Sequence, residues 1–111
     1  MPESNERGAL TEAVYYILLS LLKPLHGYGI MQHVSELSHN RVNLGSGTLY
    51  GALNTLLEKY WIAQVLDETS NRKKEYVITK LGIEVLQQEI QRLEELIKNG
   101  KNLLEGGKYD V

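Results

Sequence analysis

Residues 45–62 read GSGTLYGALNTLLEKYWI. Leu49, Leu53, Leu56 and Leu57 share one side of a helix with 3.6-residue periodicity. Gly47, Gly51, Asn54, Thr55 and Glu58 share the other. The inner face is therefore anchored, and the outer face carries small and polar side chains. The helix is expected to start near Gly45 or Ser46, either of which can cap it, and to end near Lys59 or Tyr60.

The elements flanking this helix define a plan. Thr11 is an N-cap candidate for a helix running to about Lys23, just before Pro24. That segment is apolar almost all the way round, whereas a surface helix needs one apolar stripe. KPLHGYGI reads as a turn, and a second helix starts near Gly27 and carries Ile30, Met31, Val34 and Leu37. SHNRVNLGSG is a polar loop. WIAQVL and EYVIT read as two strands around the polar turn DETSNRKK. Thr79 caps a final helix whose Ile83, Leu86, Ile90, Leu93 and Ile97 recur at spacings of 3 and 4, with Leu104 a heptad further on. Asn99-Gly100 is a point where this helix frays or kinks. Its scattered carboxylates read as a solvated face.

The expected fold is mainly α with a small β-hairpin, a winged helix-turn-helix followed by a C-terminal dimerisation helix. Residues 1–79 form the winged region, 80–104 the helix and 105–111 a disordered tail. The 111 residues suffice for one domain, and no internal repeat divides them. In a helix-turn-helix the second helix enters the major groove. The small residues Gly47 and Gly51 let the backbone approach DNA, and Ser46 and Gly51 are counted with the DNA-binding residues. Asn54 is suited to an adenine edge. Thr48 and Tyr50 are placed for phosphates. Arg72, Lys73 and Lys74 on the wing are placed for phosphates or a minor groove.

Charge agrees with this placement. The net charge is −2 overall, but residues 41–74 carry +2 while the segments before and after each carry −2. Cysteine is absent, so thiolate metal sites and disulfides are excluded. The N-terminal MPESNERGAL is not read as a signal peptide, and AVYYILLSLL is too short to span a bilayer. A soluble cytoplasmic protein with no membrane role is expected.

The heptad seam and the apolar first helix both call for a partner, and a second copy is the simplest one. The dimer positions are Val14, Leu18, Leu86, Ile90, Leu93 and Ile97. A two-fold dimer would set two recognition helices roughly 34 Å apart on an inverted-repeat operator. Apolar pockets form between dimer helices, and Tyr15, Trp61, Leu93 and Ile97 are candidates to line one for a small hydrophobic or aromatic effector.

Other chemistry fits less well. Gly45, Gly47 and Gly51 approximate a dinucleotide fingerprint, but NRVNL is a poor preceding strand. His33, Glu36 and His39 have helical spacing for a metal but lack a fourth ligand. No nucleophile elbow is present. No cofactor and no catalytic residue are expected. The rival reading is a winged helix used to bind another protein, since fold does not fix function.

LTEAVYYILLSLLKPLHGYGIMQ, GTLYGALNTLLEKYWI and RKKEYVITKLGIEVL together resemble the PadR-like transcriptional regulators over about residues 10–97. The resemblance implies a homodimeric repressor, often controlled by a small molecule. It assigns DNA contact to Thr48, Tyr50, Asn54 and Arg72 to Lys74. One helix after the wing is similar to the short subgroup. Two positions depart from the family pattern: Tyr60 stands where Gly usually ends the recognition helix, and Ser46 where Pro is frequent. Either the helix ends differently, or Tyr60 and Trp61 pack in a way specific to this chain.

Overall fold

The computed structural model describes residues 8–65 and 74–107. In chain order these form α1 (Glu12–Ser20), β1 (Leu25–His26), α2 (Gly27–Leu37), α3 (Ser46–Glu58), β2 (Ile62–Val65), β3 (Glu75–Ile78) and α4 (Lys80–Glu105). The fold is mainly helical with a small sheet, as expected, but the sheet has a third strand.

Thr11 caps α1, accepting from the Val14 N–H at 3.1 Å. The helix stops at Ser20 and not near Lys23. Two constraints explain the early end. The residue before Pro24 is driven out of the helical region. The Leu21 carbonyl is also taken by the Ile78 N–H at 2.8 Å, which stitches the end of α1 to β3.

The segment expected to be only a turn holds β1. It pairs antiparallel with β3 in the register Leu25 to Tyr76 and His26 to Glu75. On its other side β3 pairs with β2, from Ile62 opposite Ile78 to Val65 opposite Glu75. The sheet order is thus β1-β3-β2. Two residues carry too little alternation to show as a strand. Tyr76 and Ile78 alternate inward from β3, as the pleat requires, and meet Ile62 in the core.

One core unites the described residues. Ile17, Leu18 and Leu21 of the α1 region meet Ile30 and Val34 of α2, Leu49, Leu53 and Leu56 of α3, and Val85 and Leu86 of α4. Leu18 and Leu86 were expected at a dimer seam. They are 0% and 4% exposed in a single chain, so this core already uses their surface. A heptad pattern cannot say which neighbour covers it. Val14 is half-buried against the same core, which also takes Tyr15, Tyr16 and Leu19, so much of the apolar circumference of α1 is satisfied internally.

Helix α4 has 26 residues, about 39 Å at 1.5 Å per residue. Only its first half is clamped, through Gly82, Val85, Leu86 and Glu89. It runs on through Asn99 and Gly100 without the expected fraying. Ile90, Leu96, Ile97, Leu103 and Leu104 remain exposed along it. The radius of gyration is 17.0 Å, against about 13 Å for a compact chain of this length. The protruding half of α4 accounts for the excess.

Glu89 is the exception to a solvated carboxylate face. It is 2% exposed, receives Nε and Nη2 of Arg92 at 3.0 and 2.6 Å, and accepts from the Leu10 N–H at 3.3 Å. It thereby ties the segment before α1 to α4. Among the described residues no helix is long and apolar enough to cross a membrane.

Candidate nucleic-acid interface

Helix α3 is presented by a tightly specified α2–α3 corner. His26 caps α2, its Nδ1 accepting from the Gly29 N–H at 3.1 Å. At the other end the Asn40 N–H reaches the Ser35 carbonyl and the His39 N–H reaches that of Glu36. These are the paired bonds of a Schellman stop. His39 and Asn40 accordingly take φ of 52° and 64°. Ser38 Oγ then accepts from the Val42 N–H at 2.9 Å, and Asn43 Nδ2 donates to the Asn40 carbonyl at 2.8 Å. The loop that reads as merely polar is hydrogen-bonded along its length. Arg41 reaches back to the Glu12 carboxylate, Nε at 2.9 Å, which neutralises one positive charge of the middle segment.

The corner is also braced from α3. The Tyr50 hydroxyl lies against Gly27, where a Cβ would collide with it. Gly27 is thus fixed by close approach, a role the sequence hinted at only through the glycine opening a helix. Tyr50, expected on phosphate, is 44% exposed. It braces α2 with its tip and still presents part of its ring to solvent.

The outward face of α3 is as expected. Leu49, Leu53 and Leu56 are buried at 2% or less. Ser46, Gly47, Thr48, Gly51, Asn54, Thr55 and Glu58 are exposed. A Cβ at Gly47 or Gly51 would meet nothing within 4 Å. No packing among the described residues therefore requires glycine at either position. Gly51, in the helix interior, nevertheless weakens it by about 1 kcal/mol relative to alanine, and Gly47, in the first turn, by less. Thr55 turns its hydroxyl back to the Gly51 carbonyl at 3.2 Å. The Asn54 amide has no hydrogen-bond partner among the described residues, so its donors and acceptor are available. Gly45 caps the helix without a side chain.

The exit of α3 resolves the question posed by Tyr60. Its φ is 62°, the left-handed value a glycine would take. The Trp61 N–H reaches the Leu56 carbonyl and the Tyr60 N–H reaches that of Leu57. The helix ends in a Schellman stop with tyrosine in the glycine position. Tyr60 is 75% exposed, while Trp61 packs against the core with Lys59 Nζ 5.2 Å from its ring centroid. The Thr79 hydroxyl donates toward the Tyr60 and Trp61 carbonyls at 2.7 and 3.0 Å.

On the wing, Lys74 is exposed directly before β3, which is the central strand of the sheet. Arg72 and Lys73 lie outside the described residues. Of the dimer positions, Ile90 and Ile97 are exposed at 38% and 56%, and Leu93 is half-buried. Of the effector positions, Tyr15 and Trp61 pack against the core, and Ile97 lies on the free half of α4. A cavity of about 510 Å³ between α1, β1 and α2 is lined by none of those four. Among the described residues no group of three or more His, Asp or Glu side chains gathers to hold a metal.

Comparison with known proteins agrees with this architecture. Residues 17–88 match the family described as transcriptional regulator PadR-like. A 37.1 kDa protein of unknown character in a transposon of Streptomyces fradiae is 36% identical over 73 residues. The match covers 66% of this chain and only 20% of that protein. A PadR-family transcriptional regulator from Eggerthella lenta superposes with a TM-score of 0.64 at 24% identity, over 82% of this chain and 76% of its own. The Bordetella bronchiseptica regulator BpsR, whose DNA binding is regulated by 6-hydroxynicotinic acid, superposes with a TM-score of 0.64 at 16% identity, over 91% of this chain and 69% of its own. At these identities the two structures speak to the fold, and the family match speaks to the class. The chain belongs to the PadR-like family of transcriptional regulators.

Proposed function

We propose that this protein acts in the cytoplasm as a homodimeric repressor. It binds an inverted-repeat operator through α3 of each protomer and is released by a small apolar or aromatic molecule. The observation that carries the DNA reading is the outer face of α3. Gly47 and Gly51 open a close approach that nothing among the described residues requires, and the Asn54 amide, unpartnered among those residues, lies between them and the end of the helix. In the major groove, Asn54 pairs with an adenine edge. Ser46, Thr48 and the exposed part of Tyr50 meet phosphates, and Lys74 adds to them with Arg72 and Lys73.

The dimer reading rests on the free half of α4. Leu96, Ile97, Leu103 and Leu104 are more than half exposed, a stripe that isolated monomers rarely leave to water. Effector control is supported by analogy with BpsR and by the family resemblance.

The test is binding of the purified chain to DNA upstream of its own gene, titrated with salt against random competitor. Tight binding that survives competitor and weakens steeply with salt supports the reading. Binding no better than to random DNA favours a protein partner instead, a reading to which the net charge of −2 lends some weight.

A further inference from the structure

The cavity between α1, β1 and α2 has a polar floor and apolar walls. Leu19, Leu22 and Leu25 line its sides. Gly29, Gln32, His33 and Glu36 line it from one face of α2, at the i, i+3, i+4, i+7 spacing of a helical stripe. Its volume of about 510 Å³ falls within the range of small-molecule sites. Gly29 leaves it open, since a Cβ there would meet its nearest neighbours, in Leu25 and His26, at 3.4 Å or more.

The floor fixes the chemistry. Ser20, 3% exposed, donates its hydroxyl proton to the Tyr16 carbonyl at 2.7 Å. A carbonyl only accepts, so that proton is committed. His33 Nδ1 lies 2.9 Å from the same Ser20 Oγ. With the hydroxyl proton on the Tyr16 carbonyl, the imidazole donates through Nδ1–H. In the neutral ring this leaves Nε2 as an acceptor, and Nε2 has no partner among the described residues.

From this geometry we infer that the groove is a binding site for a small ring compound with an apolar body and one N–H or O–H donor, held by a hydrogen bond to His33 Nε2. The leucines take the ring, and the buried Ser20–Tyr16 pair holds the imidazole in the tautomer that receives the donor. Lys23 and Glu36 stand at the rim, where neither has an ion-pair partner among the described residues. The site shares no residue with the α3 face, so it stands or falls independently of the DNA reading.

The test uses the whole chain with ¹⁵N-labelled histidine and no DNA. The probes are indole and its isostere indene, which lacks the N–H. Indole is expected to shift the His33 Nε2 resonance saturably and to bind roughly threefold to tenfold more tightly than indene, the worth of one net hydrogen bond. His33→Phe keeps the ring shape and removes the acceptor, so it should abolish that preference. Gly29→Leu fills the groove and should weaken both probes at least tenfold. Circular dichroism reports whether each variant keeps its helices, and a failure of Gly29→Leu to fold leaves His33→Phe as the deciding variant. Equal affinity for the two probes, a preference that survives His33→Phe, or shifts confined to other residues would overturn the assignment.

Discussion

The Thr79 hydroxyl stands 2.7 Å from the Tyr60 carbonyl and 3.1 Å from the Gly82 N–H. One oxygen thus closes the exit of α3 and opens α4. Behind it, a Cβ on Gly82 would collide with the Trp61 carbonyl, so the two segments meet at backbone distance. Thr79→Ala should lower stability by about 1–2 kcal/mol through loss of the cap. For a chain of this size that is a fall in Tm of roughly 4–9 °C. Thr79→Ser keeps the oxygen and should recover most of it. A melting curve unchanged by Thr79→Ala would mean the hydroxyl bonds contribute nothing net.

Tyr60 offers the opposite sign. A non-glycine residue at φ of 62° is strained by roughly 1–2 kcal/mol, and this side chain is three-quarters exposed. Tyr60→Gly should raise the urea midpoint, with a gain of about 1 kcal/mol after the added freedom of the unfolded chain is subtracted. Tyr60→Ala keeps the strain and should not raise it. A gain for both variants would locate the effect in the side chain and not the backbone.

Gly47 and Gly51 separate folding from function. Alanine fits at either site and should stabilise α3 by up to about 1 kcal/mol each. If the α3 face lies against a groove, the same substitutions should weaken operator binding. Stabilisation with unchanged DNA affinity would remove the close-approach argument.

Asn54→Ala should weaken operator binding by about 1–3 kcal/mol while leaving binding to random DNA nearly unchanged. Competition titrations at one fixed salt concentration measure the difference. Equal losses on both DNAs would make Asn54 a backbone contact.

For the protruding half of α4, Ile97→Asp with Leu104→Asp should leave the fold intact, since both side chains are more than half exposed. Light scattering should then report the 12.6 kDa single chain. A larger mass that persists would place the dimer interface elsewhere.

The outer face of α3 and the caps at Thr11 and Thr79 were legible in the sequence because each rests on local spacing. The bounds of α2 and α3 were legible for the same reason. What could not be read depended on neighbours distant in the chain. β1 exists because β3 offers it a partner. α1 ends early because Ile78 takes the Leu21 carbonyl. Leu86 and Glu89 sit three residues apart on the α4 face that the rest of the domain covers. The heptad pattern placed Leu86 at a seam, and its charge placed Glu89 in water. Tyr60 shows a further limit. The departure from glycine was visible, but only the backbone angle shows that the turn kept its shape and the residue took the strain.

The free length of α4 has a mechanical consequence. Its first turn is fused to the end of α3 through Thr79 and Gly82, and the helix extends about 39 Å from there. A rotation of about 5° at that joint displaces the far end by roughly 3 Å. Read in reverse, a shift of a few ångströms where α4 is gripped becomes a small change in the aim of α3. The helix is a pointer: what holds its distal end sets the direction in which the glycine face looks.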